Sequence, residues 1–154
     1  MNLSILWMIN LKFYTKRKIV NSTTKKFLQI GSIIMALSVA LGAFGAHALK
    51  SILDENMIKV YNTAVQYQFY HALGLFAVAF AAHFNNVKKV KIAGNIMLYS
   101  ILIFSGSLYL MTITGIKWLG AITPIGGTGF IIAWILLFLS MRGIKTIKTT
   151  NKTL

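Results

Sequence analysis

Residues 27–49 read FLQIGSIIMALSVALGAFGAHAL, a run without a single charged side chain. At about 1.5 Å per residue, a helix of that length crosses a hydrocarbon core of about 30 Å. Within it Ser32, Ala36 and Ala40 stand four apart, and Gly42 and Ala46 repeat the step. Small residues at that spacing let two helix backbones approach closely in lipid, where apolar burial gives helices no drive to associate. The stripe is therefore read as a packing face.

Working outward, residues 50–64 form a polar connector holding the only two carboxylates of the chain, Asp54 and Glu55. Residues 65–84 form a second span. On its helical projection Tyr61, Gln68, His71 and Leu75 share one side, with Ala64 and Tyr67 beside them. Polar groups inside a bilayer are expensive, so this side is expected to face protein or water and not lipid. A basic turn at 85–91 leads to a third span, 92–113, that carries Ser105, Gly106 and Ser107, with Gly106 read as a helix-packing position. The two serines are expected to bond back to carbonyls of the preceding turn. After a short link, residues 118–141 form a fourth span. Pro124 sits near its start, where a missing amide hydrogen is tolerated, and Gly126 and Gly127 follow for close helix contact. These glycines are no phosphate loop, since neither the Gly-Lys-Ser/Thr ending nor a preceding strand is there.

The predicted fold is all-α, a four-transmembrane-helix bundle over residues 27–141. A basic lead-in (1–26) and a basic tail (142–154) flank it. The chain has 154 residues, 56% of them hydrophobic, and a mean hydropathy of +0.70, more apolar surface than one soluble domain of this size can hide. Cysteine is absent, which removes disulfides and thiolate metal sites. The net charge of +14 does not point to nucleic acid, because the cations stand in blocks between apolar runs. Six cations precede the first span, three lie in the turn at 85–91 and four follow the last span. That puts thirteen on one side against Lys50, Lys59 and Lys117 on the other. Such a bias predicts cytoplasmic termini in a multi-pass protein of the cell membrane.

The words GAFGAHAL, YNTAVQYQFYHALGLF, FSGSLYL and ITPIGGTGF occur in this order along the chain. In order and spacing they resemble the family of small four-helix membrane proteins of unknown function that includes bacterial YgdD and YwdK. The resemblance covers roughly residues 27–141 and implies a multi-pass plasma-membrane protein. It supplies no activity, substrate or catalytic residue.

Chemistry is sparse. Asp54 and Glu55 are adjacent in a loop, whereas paired acid–base work needs carboxylates facing each other across a substrate. Three scattered histidines without thiolate or carboxylate partners make a poor metal site. No catalytic residue, metal or cofactor is expected, and the chain is not expected to be an enzyme. The interesting group is a polar cluster of His47, His71, Tyr67 and Gln68, with both histidines placed in the outer half of the membrane. It is read first as interhelical hydrogen bonding that locks the first hairpin, and second as a shared proton or metal site. Two function classes follow. One is a non-enzymatic scaffold, assembly or accessory component; the other is a small oligomeric transporter or channel lined at His71 and Gln68. The expected partners are the lipid bilayer and a second copy or another membrane protein, with no nucleic acid.

Overall fold

Two short polar side chains set where the first helices begin. The Asn21 Oδ1 accepts from the Thr24 amide at 2.9 Å, and the Asp54 Oδ1 accepts from the Met57 amide at 2.9 Å. Each satisfies an amide that the first helical turn leaves without a partner. The computed structural model describes residues 20–85 and 88–142. Among them are four α-helices: α1 Ser22–His47, α2 Glu55–Phe84, α3 Lys88–Thr114 and α4 Thr123–Met141. Short 3₁₀ turns, Leu49–Ser51 and Lys117–Ala121, lie in the α1–α2 and α3–α4 links. Most of the basic lead-in and tail lies outside the described residues.

Two boundaries differ from expectation. The polar connector was expected to run to residue 64, but α2 is helical from Glu55. Asp54 caps it, Glu55 stands in its first turn where negative charge suits the helix dipole, and Tyr61 is already buried at 2% exposure. The Glu55–Lys59 ion pair at 2.8 Å is exposed and contributes little. The fourth span was expected from residue 118, yet α4 proper begins at Thr123. Gly115, with φ +73°, turns the chain out of α3, and the 3₁₀ segment carries it to Pro124 in the first turn of α4.

The helices α2 and α3 lie side by side in the middle, with α1 against α2 and α4 against α3, and α1 and α4 share no packed seam. Helices α1, α3 and α4 belong to segments long and apolar enough to cross a membrane. The longest helix, α2, is more polar because Glu55, Asn56, Lys59, Asn62, Gln66 and Gln68 fall in its first half and His71 just beyond. It takes the inner position, where Gln68 and His71 are buried at 5% and 7% exposure. The outer surface is apolar, with Ile33, Val39, Leu102, Ile131, Ile135 and Phe138 all exposed. That arrangement suits a lipid solvent.

The face that α1 buries is not the one its small-residue stripe suggested. Thr24, Phe27, Gly31, Ile34, Ser38 and Gly45 are buried, whereas Ser32, Ala36, Ala40 and Ala46 are exposed. The reason is the period. Gly31, Ser38 and Gly45 are seven apart, and a seven-residue repeat drifts only about 20° around a helix, which a left-handed crossing absorbs. A four-residue repeat turns by about 40° at each step and leaves the seam.

Candidate functional site

The interior polar groups converge where α1, α2 and α3 meet. Gln68 is the hub. Its Nε2 donates to the Ile34 carbonyl of α1 at 3.2 Å, and its Oε1 accepts from the Tyr109 hydroxyl of α3 at 2.9 Å. Tyr109 also lies against Tyr61, with ring centroids 5.3 Å apart. The Tyr61 hydroxyl donates to the Leu41 carbonyl at 2.8 Å, and its ring fills the space that Gly45 leaves open. With the Ser105 bond to Ala64, one α2 face is thus joined twice to α1 and twice to α3. The serine expectation holds for Ser107, which donates to the Phe104 carbonyl at 3.0 Å, but not for Ser105. The Ser105 hydroxyl instead crosses to the Ala64 carbonyl of α2 at 2.8 Å. Ala64 is fully buried, and its single methyl leaves its carbonyl within reach of the neighbouring helix.

Beside this hub, α1 and α3 part to leave a groove of about 230 Å³, lined by Ile34, Leu41, Gln68, Ser105, Gly106 and Tyr109 among others. Gly106 contributes to its width, since a Cβ there would meet nothing within 4 Å. This glycine, read as a packing position, borders open space. In the groove the donor hydrogens of Ser105 and Tyr109 are engaged, so these hydroxyls offer acceptor lone pairs to whatever enters.

His71 belongs to a different neighbourhood. Its ring stacks on Phe130 of α4 with centroids 3.4 Å apart, and Tyr67 stacks on Phe104 of α3 at 4.3 Å. The His71 Nδ1 lies 2.8 Å from the Tyr67 carbonyl, so in the neutral ring Nδ1 carries the proton and donates it. Trp134 and Gly74 complete this side, and Gly126 lets α4 approach the Phe104 backbone, where an added Cβ would lie 2.7 Å from the amide nitrogen. A Cβ added at Gly127 would make only ordinary contact with the Phe104 ring at 3.7 Å, and one added at Gly42 would lie 3.4 Å from the Val65 side chain.

His47 stands apart from all of these groups. It is exposed at the end of α1, while the Ile34–Gln68 and Gly45–Tyr61 contacts align His71 with the middle of α1. The two histidines are therefore separated by roughly 20 Å along the bundle, at about 1.5 Å per residue. The expected pairing of His47 with His71 in one cluster is not found, because α2 is helical from Glu55, ten residues before its apolar run, which sets His71 level with the middle of α1. Of the four candidate cluster residues, α2 carries Tyr67, Gln68 and His71 together, with Gln68 turned to α1 and α3 and His71 to α4. Sequence reading missed Asn21 and Asn85. Asn21 Nδ2 donates to the Ala82 carbonyl at 2.7 Å, and Asn85 Nδ2 donates to the Ser140 carbonyl at 2.9 Å. Both stand at helix ends beside lysine-rich stretches, where a capping residue is the available signal. Among the described residues no three His, Asp or Glu side chains gather as metal ligands.

A bundle with apolar outer faces and hydrogen-bonded polar groups at its centre defines a small four-helix integral membrane protein. The family described as "Protein of unknown function (DUF423)" matches residues 41–127. The chain is 49% identical over 114 residues to the UPF0382 membrane protein YwdK of Bacillus subtilis, covering 73% of this chain and 93% of that protein. It is 41% identical over 116 residues to the UPF0382 membrane protein SH2409 of Staphylococcus haemolyticus, covering 75% and 94%. A UPF0382 membrane protein of Haemophilus influenzae is 39% identical over 112 residues, covering 73% and 90%. The chain belongs to this uncharacterised family of membrane proteins. No solved structure matches it.

Proposed function

We propose that the protein is a non-enzymatic component of the cell membrane, a scaffold, assembly or accessory subunit with both termini in the cytoplasm. The observation that carries this reading is the use of the buried polar groups. Gln68, Tyr109, Tyr61, Ser105, Asn21 and Asn85 each engage another helix, which makes them fasteners of one rigid shape. The orientation is supported by charge. Lys25, Lys26, Lys88, Lys89, Lys91 and Arg142 collect at one end of the bundle, and Lys50, Lys59 and Lys117 share the other with Asp54 and Glu55. The groove over Gln68 favours a second reading, a small oligomeric transporter or channel with its polar site there.

One reconstitution separates the two. Purified protein in sealed vesicles is tested for ion and small-solute flux, alongside Gln68→Leu, and a mild-detergent extract is sized for a stoichiometric membrane-protein partner. The accessory reading expects tight vesicles, a defined complex and lowered stability in the variant. Flux that is abolished by Gln68→Leu in a protein that still folds would replace it with the transport reading. Cysteines introduced at Asn56 and Lys89 test orientation. They should label from outside and inside respectively, and the reverse would invert the topology.

A further inference from the structure

At the cation-rich end a second groove, of about 370 Å³, lies between the first turns of α1 and the last turns of α2. Its walls are Leu28, Phe76, Ala79 and Phe80, with Thr24 and His83 also lining it. Thr24 is the unusual member. It is 5% exposed, and its hydroxyl has no hydrogen-bond partner among the described residues. A buried hydroxyl without a partner is costly, and a native structure with such a group calls for something to receive its proton. In the first turn of a helix the usual remedy, a carbonyl four residues back within the helix, does not exist.

We propose that this groove is a binding site for one anionic phospholipid, its acyl chain along Phe76, Phe80 and Leu28, and an ester or phosphate oxygen accepting from Thr24. Three observations select that occupant. The apolar walls open sideways, onto the surface where exposed Leu28 and Phe80 meet lipid. The polar group sits at the end of the span, at the depth where a lipid changes from chain to headgroup. Six described cations crowd that end without a carboxylate among them, Lys25 next to Thr24 in sequence. A second copy of the chain would bring its own cations to the same place and be repelled, whereas an anionic headgroup is attracted.

The test is native mass spectrometry of the full chain in mild detergent, titrated with phosphatidylglycerol or phosphatidylcholine. A single phosphatidylglycerol adduct, retained at least five-fold better than phosphatidylcholine, is expected. Thr24→Val, which keeps the shape and removes the hydroxyl, should lower retention of the phosphatidylglycerol adduct at least three-fold. Lys25→Gln, at an exposed position that leaves folding alone, should do the same. Arg142→Gln changes the same charge at the same end but at the close of α4, which does not pack on α1, and should leave the adduct intact. Equal retention of the two lipids would overturn the site, as would equal losses from Lys25→Gln and Arg142→Gln, which mean diffuse attraction. A dimer that excludes lipid, or a Thr24→Val protein that retains the adduct as well as wild type, would overturn it too.

Discussion

Against α1 and α3, the side of α2 that carries Tyr61, Ala64 and Gln68 is held by hydrogen bonds. Against α3 and α4, the side that carries Tyr67, His71 and Gly74 is held by ring faces and by glycines that admit them. The two sides are three residues apart at Gln68 and His71, yet they do different physical work. A hydrogen bond between helices has direction and one correct partner, so the first side sets which residues lie level with one another. Ring stacking and glycine contacts have little register preference but strict distance, so the second side sets how closely the helices approach. In lipid neither job can be left to apolar burial, since the solvent is as apolar as the side chains.

The sharpest way to break the close-approach side is Gly126→Val. The obstacle is the Phe104 backbone, which cannot rotate out of the way, and a loss of about 3 kcal/mol in thermal stability in detergent is expected. Gly106→Ala is its control and should stay within about 0.5 kcal/mol of wild type, because the added methyl meets open groove. Equal behaviour of the two glycines would mean that α3 and α4 do not approach as described.

On the hydrogen-bonded side, Gln68→Leu leaves the Tyr109 hydroxyl without its acceptor and should cost about 2 kcal/mol. Pairing it with Tyr109→Phe should recover about 1 kcal/mol of the summed losses, and strict additivity in that cycle would remove Gln68 as the hub. A smaller effect, within about 1 kcal/mol, is expected for His71→Phe, which keeps the aromatic face on Phe130 and loses only the bond to its own helix. Combined with His47→Ala it should be additive within about 0.5 kcal/mol, given the distance between the two. The smallest change belongs to Ala36→Leu and Ala40→Leu. Both are exposed, and melting within about 0.5 kcal/mol of wild type is the expected result. A marked loss there would show that the four-residue stripe meets a partner helix.

What the sequence by itself determined is the set of helices, the approximate ends of α1 and α3, and the sorting of cations and carboxylates to opposite ends. Those features follow from local properties: charge-free length, capping residues and the bilayer's intolerance of unpaired backbone groups. It also determined that Tyr61, Gln68, His71 and Leu75 are turned inward, because a polar residue in an apolar helix has few places to go. Tertiary structure decided which apolar face of α1 is buried. Ala36 and Gly31 are equally suited to lipid or to a seam, and only the crossing with α2 selects the seven-residue set of Gly31, Ser38 and Gly45. It decided too that Gln68 and His71 serve different seams, and that His47 joins neither. Helical position alone does not say which neighbour stands on each side. That depends on α2 having α1 on one side and α3 with α4 on the other, an arrangement made by contacts between residues far apart in the chain, such as His71 with Phe130 and Tyr109 with Gln68.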